Sequence, residues 1–94
     1  MRKLLLLLFF GILIGQDVSI SGLVVDSETN NPIIDANIFV PDSDFGAATD
    51  YQGNFKIENL ENKNYTIIAS ALGYKDSILT ITSESNLIIK LVPP

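Results

Sequence analysis

The stretch Gly46 to Phe55, GAATDYQGNF, indicates the fold more clearly than any other part of the chain. Its centre, Asp50 to Gly53, is a strong signal for a tight turn, because an Asp side chain can bond its own backbone and Gly can adopt a positive φ. Short β-prone segments flank this turn, so we predict the tip of a β-hairpin. Gly73 is expected to break a later strand, and we assign Asp50, Gly53 and Gly73 structural roles in turns.

The remaining sequence after residue 16 consists of short runs in which apolar and polar residues alternate. Apolar residues at every second position indicate strands with one buried face. No helical periodicity occurs in this part, so we predict an all-β fold, a seven-stranded antiparallel β-sandwich, with a barrel as the alternative. Leu60 is expected to be tucked beneath a polar loop. The predicted strands cover residues 18–26, 36–40, 47–49, 54–58, 65–71, 77–82 and 87–92.

Residues 1–16 differ chemically from everything that follows. Arg2 and Lys3 precede an apolar run over residues 4–14, which is too short to span a bilayer comfortably. This pattern is typical of a secretory signal peptide with cleavage near residue 15 or 16, and an uncleaved anchor is the alternative. The predicted domain then covers residues 17–92, and the two final prolines form a tail or the start of a linker, since proline cannot continue a ladder.

Composition excludes several classes of function. Removing Arg2 and Lys3 from the six basic residues leaves four against eleven acidic ones, a net charge of −7, which argues against nucleic acid or anionic membranes as partners. The chain contains no histidine and no cysteine. Histidine-based triads, thiol nucleophiles and the usual zinc ligand sets are therefore excluded. We expect no enzyme activity, no catalytic residues, no metal and no cofactor.

Acidic residues in the predicted loops raise the question of calcium. Asp42, Asp44 and Asp50 lie around the predicted hairpin, and Asp26 and Glu28 lie in another loop. Their spacing is poor for a calcium site and matches neither an EF-hand nor a nonapeptide repeat, and Asp at the start of a turn ordinarily bonds to the backbone. Turn bonding is therefore the favoured interpretation.

Apolar and aromatic side chains outside the predicted core are candidates for binding. Phe45, Tyr51 and Tyr74 could stack on a sugar, although positions in the core or at strand ends are the favoured interpretation. Six apolar residues are expected to point outward and could form a surface for docking another protein domain. These residues are Leu23, Val25, Phe39, Ile68, Ile78 and Ile88.

The order and spacing of five short motifs resemble the carboxypeptidase regulatory-like domain. The motifs are Gly22-x-Val24-x-Asp26, Pro32-Ile33-x-x-Ala36-x-Ile38-x-Val40, Thr49-Asp50-x-x-Gly53-x-Phe55, Tyr65-x-Ile67 and Gly73-Tyr74. The resemblance covers the predicted mature domain and implies a transthyretin (prealbumin)-like sandwich. In that family the domain follows zinc carboxypeptidases, or it comes directly after a signal peptide at the N-terminus of SusC-like TonB-dependent outer-membrane receptors. The second context matches this sequence.

The resemblance implies a non-catalytic, exported accessory domain for docking or regulation. Its partner would be the receptor plug and barrel or another envelope protein, and its location the periplasm or the periplasmic side of a bacterial outer membrane rather than the extracellular space. The sequence ends two residues after the last predicted strand, so both a receptor fragment and a stand-alone domain are expected alternatives. The alternative function is a secreted module that binds a glycan or a peptide.

Overall fold

The computed structural model describes residues 17–82 and 84–94, so the predicted signal peptide lies outside the described residues. The described residues form seven β-strands and no helix. The strands are β1 (Asp17–Asp26), β2 (Asn37–Phe39), β3 (Gly46–Ala48), β4 (Asn54–Glu61), β5 (Tyr65–Ser70), β6 (Ser77–Ile81) and β7 (Glu84–Leu91).

Two sheets make up the sandwich. One has three strands in the order β4-β1-β7, and the other has four in the order β3-β2-β5-β6. All but one of the strand pairs are antiparallel, as predicted, but β1 and β7 pair in parallel. The prediction of a purely antiparallel sandwich is therefore wrong. The reason is topological: each connection reverses the chain, so two odd-numbered strands that become neighbours run in the same direction.

The core lies between the sheets and follows the alternation of the strands. In β5, for example, Tyr65, Ile67 and Ala69 are buried while Thr66 is exposed. Burial of such side chains is the main stabilising term for a domain of this size. The largest fully buried side chains are Ile20, Val24, Ile38, Leu60, Ile67, Ile89 and Leu91.

The turn at Asp50 to Gly53 connects the two sheets and does not form a hairpin. β3 pairs with β2, whereas β4 pairs with β1 in the other sheet. The prediction of a hairpin is therefore wrong, because the turn signal is local and contains no information about which strand each flanking segment will pair with. The turn itself is tight, with the amide of Gly53 donating to the carbonyl oxygen of Asp50 at 2.9 Å.

Leu60 lies in a strand, not beneath a loop as predicted. It pairs with Val18 of β1 and is fully buried. The ladder shifts between the pair Ile20–Ile57 and the pair Val18–Leu60, so β4 has an extra residue here, and Asn59 has a φ of 62°. This β-bulge changes the alternation, so that Ile57 and Leu60, three positions apart, both face the core.

Gly22 allows β1 and β7 to approach closely. A Cβ at this position would overlap the carbonyl oxygen of Leu87 and lie 2.8 Å from its carbonyl carbon. The β1–β7 register also shifts between Ile20 and Gly22. Glycine is therefore required here by the distance between the strands.

The chain enters the sandwich at one end and leaves at the other. The amino-terminal end holds Asp17 and the β2–β3 and β4–β5 connections, whereas the carboxyl-terminal end holds Leu91 and the β1–β2, β3–β4 and β5–β6 connections. The residues after β7 are attached at this second end, because the amide of Lys75 donates to the carbonyl oxygen of Val92 at 2.8 Å.

Candidate functional site

Three of the six predicted interface residues form a row on the outer side of the four-stranded sheet. Phe39 of β2 pairs with Ile68 of β5, which in turn pairs with Ile78 of β6. Side chains at directly opposed positions have Cβ atoms about 5 Å apart. Phe39 is 37% exposed, Ile78 is 68% exposed and Ile68 is half-buried. We call these three residues the apolar row.

The sheet that carries the apolar row has no ionisable group in its outward-facing positions. Indeed, β2, β3, β5 and β6 contain no Asp, Glu, Lys or Arg. The outward neighbours of the row are Asn37, Ala48, Thr66, Ser70 and Thr80. In a chain in which 18% of residues are charged, this lack of charge is a feature that the surface shares with the centre of protein–protein interfaces. We call it the four-stranded face.

Two other predicted interface residues lie on the opposite side of the sandwich. Leu23 of β1 pairs with Ile88 of β7, and both line a shallow groove of about 400 Å³. Ile88 is 59% exposed, whereas Leu23 is half-buried. Two charged residues lie near this pair, with Lys56 in the groove and Lys90 two residues after Ile88. The predicted residues therefore belong to two separate surfaces.

Val25 does not belong to either surface. It is 5% exposed, because the β1–β2 connection folds back over the end of β1 and Pro32 forms a β-bridge with Val25. The amide of Ile33 also donates to the carbonyl oxygen of Val24 at 3.0 Å. Val25 follows the outward alternation of β1 but is covered, so the prediction that it contributes to an exposed docking surface is wrong.

A cleft of about 700 Å³ opens at the amino-terminal end of the sandwich. Three carboxylates and one ammonium group line it together with aromatic rings, and Lys63 Nζ lies 5.4 Å from the centre of the Tyr65 ring. Such a mixture of polar groups and ring surface can bind a polar ligand. The residues concerned include Asp17, Asp42, Phe45, Glu61, Lys63 and Tyr65.

At the carboxyl-terminal end, a hydrogen bond between Tyr74 and Asp26 joins the β5–β6 connection to the end of β1. Tyr74 Oη donates a hydrogen bond of 2.7 Å to Asp26 Oδ2, while Asp26 Oδ1 accepts from the amides of Glu28 and Thr29. The hydrogen bond from Tyr74, and then those two amides, hold the pKa of the Asp26 carboxyl below its ordinary value. The same hydrogen bond to Asp26, together with partial removal from water, raises the pKa of Tyr74.

The predicted aromatic residues do not come together. Phe45 lies in the β2–β3 connection at the amino-terminal end, and Tyr51 lies in the β3–β4 turn at the other end. Tyr74 is engaged with Asp26. These three residues therefore cannot form one stacking platform, because the length of the sandwich separates Phe45 from the others.

Two of the acidic loop residues, Asp26 and Asp50, bond to the backbone of their own loops. Asp50 Oδ1 accepts from the amides of Gln52 and Asn54, each at 2.9 Å, and Asp26 caps its own loop as described above. Among residues 17–82 and 84–94, no three Asp or Glu side chains are placed to hold a metal ion. Gly53 and Gly73 have φ values of 82° and 88°, which only glycine adopts without strain.

Thr49 is a structural residue that was not predicted from the sequence. It is 3% exposed, and its hydroxyl donates to the carbonyl oxygen of Ile33 at 2.6 Å and accepts from the amide of Ala36 at 2.9 Å. These bonds hold the β1–β2 connection against β3. The signal was present in the motif Thr49-Asp50, but a buried role for the hydroxyl depends on residues 13 and 16 positions away.

Comparison with known proteins identifies the family. The model of the CarboxypepD_reg-like domain matches residues 20–93. The chain belongs to the CarboxypepD_reg-like domain family. The resemblance stated from the sequence motifs is confirmed.

A curated relative of this CarboxypepD_reg-like domain is the TonB-dependent receptor SusC of Bacteroides thetaiotaomicron. The two are 33% identical over 95 residues, which cover 96% of this chain and 9% of the receptor. The chain therefore spans less than a tenth of the length of this relative. In the part of the chain that the structure describes, no helix is long and apolar enough to cross a membrane.

Solved structures share the fold of this CarboxypepD_reg-like domain. Two are chains of type II cohesin–X–dockerin complexes from Acetivibrio cellulolyticus, one an N-terminal and the other a C-terminal interface mutant. The first has a TM-score of 0.64 at 20% identity and covers 81% of this chain and 58% of its own. The second has a TM-score of 0.59 at 19% identity, and the match covers 78% of this chain and 51% of the other. These matches support a β-sandwich.

Proposed function

We propose that this domain is the N-terminal, non-catalytic accessory domain of a SusC-like TonB-dependent receptor. The observation that carries the proposal is the 33% identity to SusC over 96% of the chain, together with the family match. A role in docking or regulation is supported by the uncharged four-stranded face. The transthyretin-like topology implied by the sequence motifs is part of the same proposal.

A non-catalytic role is supported by the chemistry that the chain contains. The 94 residues include no histidine and no cysteine, and Asp26 and Asp50 have local structural partners. An enzyme based on carboxylates needs two acids that face one substrate, with at least one pKa adjusted for proton transfer. The lowered pKa of Asp26 comes from its bonds to Tyr74, Glu28 and Thr29, which is a structural cause.

Export is supported by the predicted signal peptide at residues 1–16, and the relationship to an outer-membrane receptor favours the periplasmic side. A first experiment is to sequence the gene beyond the codon for Pro94 and to measure the mass of the native product. A product of receptor size is expected. A native product ending at Pro94 would overturn the proposal.

Location can be tested with an epitope inserted after Leu72, an exposed residue of the β5–β6 connection. We expect an antibody to reach the epitope only after the outer membrane is permeabilised. As a control, the same epitope in a surface protein of that bacterium should be labelled in intact cells. Labelling of the inserted epitope in intact cells would contradict a periplasmic location.

A second candidate function is a secreted module that binds a glycan or a peptide, and the cleft at the amino-terminal end favours it. The test is a glycan array probed with the exported protein and with two variants. Phe45→Ala should abolish binding, since Phe45 lines the cleft, whereas Tyr51→Ala at the opposite end should not. No binding by the unchanged protein would rule out this function for the glycans on the array.

A further inference from the structure

We propose that the four-stranded face is covered, in the full-length protein, by the polypeptide that follows residue 94. The contact centres on the apolar row of Phe39, Ile68 and Ile78. This inference rests on the proposed function, since it requires a chain that continues beyond residue 94. It assigns the docking surface to one sheet and its occupant to the same molecule.

Composition separates the four-stranded face from the rest of the surface. The three-stranded sheet carries charged residues in every strand, including Lys56 and Glu58, which form an ion pair at 3.2 Å, and Lys90. The four-stranded face has none. Covering a charged surface has a desolvation cost, whereas covering Phe39 and Ile78 removes apolar area from water at roughly 25 cal/mol per Å². A partner therefore gains the most binding free energy by covering the four-stranded face.

The size of this face indicates a tethered partner. The four strands lie about 4.8 Å apart and have 3, 3, 6 and 5 residues at about 3.3 Å each, so they offer roughly 270 Å² in projection. Stable complexes of free proteins typically bury about 800 Å² on each partner. A second copy of the domain, binding through this face alone, falls short of that area. A covalently attached segment does not need so large an area, because a short linker gives it an effective concentration in the millimolar range.

The chain leaves the domain beside the β5–β6 connection, which leads into β6, an edge strand of this face. The carbonyl oxygen of Val92 accepts a hydrogen bond from the amide of Lys75, which is two residues before β6 begins. Ile78 is three residues after Lys75, a distance of about 10 Å along an extended chain. A segment that follows Pro94 can therefore reach the apolar row after only a few residues.

The chain offers a matched pair of positions for the test. Ile78 and Ile88 are both isoleucines in strands, both point outward, and their exposed fractions are 68% and 59%, but they lie on opposite sheets. The 94 residues contain no cysteine, so Ile78→Cys and Ile88→Cys each introduce a single thiol into this part of the chain. Both variants should keep the unfolding midpoint of the unchanged protein, because surface substitutions usually cost little.

The experiment measures maleimide labelling of each variant in the full-length native protein and in denaturant, with mass spectrometry of the peptide that carries the thiol. Dividing the denatured rate by the native rate gives a protection factor for each position. We expect protection at position 78 to exceed that at position 88 by at least tenfold. That ratio should not change when the protein is diluted, because the occupant belongs to the same molecule.

Three results would overturn the inference. Equal protection at the two positions in a receptor-sized product would show that the four-stranded face is not covered, and it would leave the proposed function intact. Protection at position 78 that disappears on dilution would assign the face to a second copy. A native product that ends at residue 94 would overturn the proposed function, and the inference would fail with it.

Discussion

Tyr74 and Asp26 are 48 positions apart in the sequence, and a hydrogen bond of 2.7 Å joins them at the carboxyl-terminal end of the sandwich. Asp26 ends β1, and Tyr74 lies in the connection between β5 and β6. The bond therefore links the three-stranded sheet to the four-stranded sheet. It lies beside the last residues of the chain, because Lys75, next to Tyr74, bonds Val92.

Tyr74→Phe should lower the stability of the protein in a manner that depends on pH. Because the pKa of Asp26 is lowered in the folded protein, the contribution of this carboxylate to stability is present above about pH 4. It is lost as the pH falls through the folded-state pKa. The raised pKa of Tyr74 means that its contribution is present below about pH 10 and is lost as pH rises. The difference in urea midpoint between the two proteins should therefore be largest near pH 7 and smaller at pH 2.

NMR titration of the Asp26 carboxyl gives a direct check of the same prediction. Its pKa should move up towards the ordinary value in Tyr74→Phe, because the first cause of its lowering has been removed. Tyr51→Phe, at an exposed position in the β3–β4 turn, is the control and should leave the titration unchanged. An Asp26 pKa that is the same in all three proteins would contradict the assigned role of Tyr74.

Thr49→Val should destabilise the protein by about 3 kcal/mol, since it leaves a buried carbonyl and a buried amide without their partner. The shapes of the two side chains are nearly the same, so the loss reports the hydroxyl. Thr66→Val on the exposed side of β5 is the control, with an expected change within about 0.5 kcal/mol. Urea unfolding measures both, and equal values would show that the Thr49 bonds contribute nothing.

Gly22→Ala should cost about 3 kcal/mol, because the added methyl group overlaps the backbone of Leu87 and neither strand can move freely. Gly73→Ala is the informative comparison. A Cβ at Gly73 meets no atom within 4 Å, but the φ of 88° makes alanine unfavourable by about 1 kcal/mol. Thermal unfolding should show that Gly22→Ala is the less stable of the two variants. The reverse order would contradict a close contact between Gly22 and the backbone of Leu87.

Asp50→Ala should lower the melting temperature by roughly 4–8 °C, the shift that about 1 kcal/mol produces in a domain of this size. The variant loses the acceptor for the amides of Gln52 and Asn54. Asp50→Asn keeps an oxygen at the same position and should lose less than half as much. If the two variants melt together, the charge of Asp50 matters more than its geometry.

Local features of the fold could be predicted from the sequence. The alternation in segments such as Tyr65 to Ser70 places one face in the core, and it depends only on neighbouring residues. The turn at Asp50 is local in the same sense. The pairing of β3 with β2, rather than with β4, depends on contacts between distant residues and could not be obtained from periodicity.

The outward orientation predicted for strand residues agrees with their exposure where no other described segment lies over the strand. Phe39 and Ile78 follow the alternation and are exposed, whereas Val25 follows it and is nevertheless buried by Pro32. The partner of Tyr74 was also beyond prediction, since nothing in either residue's neighbourhood indicates a bond across 48 positions. The alternation of residues therefore did not predict the contacts that loops make with distant strands, such as those of Pro32 and Tyr74.

The parallel pairing of β1 and β7 has a mechanical consequence. These are the first and last strands among the described residues, and Asp17 and Leu91 lie at opposite ends of the sandwich. A force that pulls the two ends apart acts along the strands, so it shears all their hydrogen bonds at once. Pulling instead on Asp17 and Glu61, which face each other across β1 and β4, would open that ladder one bond at a time. Single-molecule stretching should therefore give a higher rupture force between Asp17 and Leu91 than between Asp17 and Glu61, so the domain resists tension along its length better than across it.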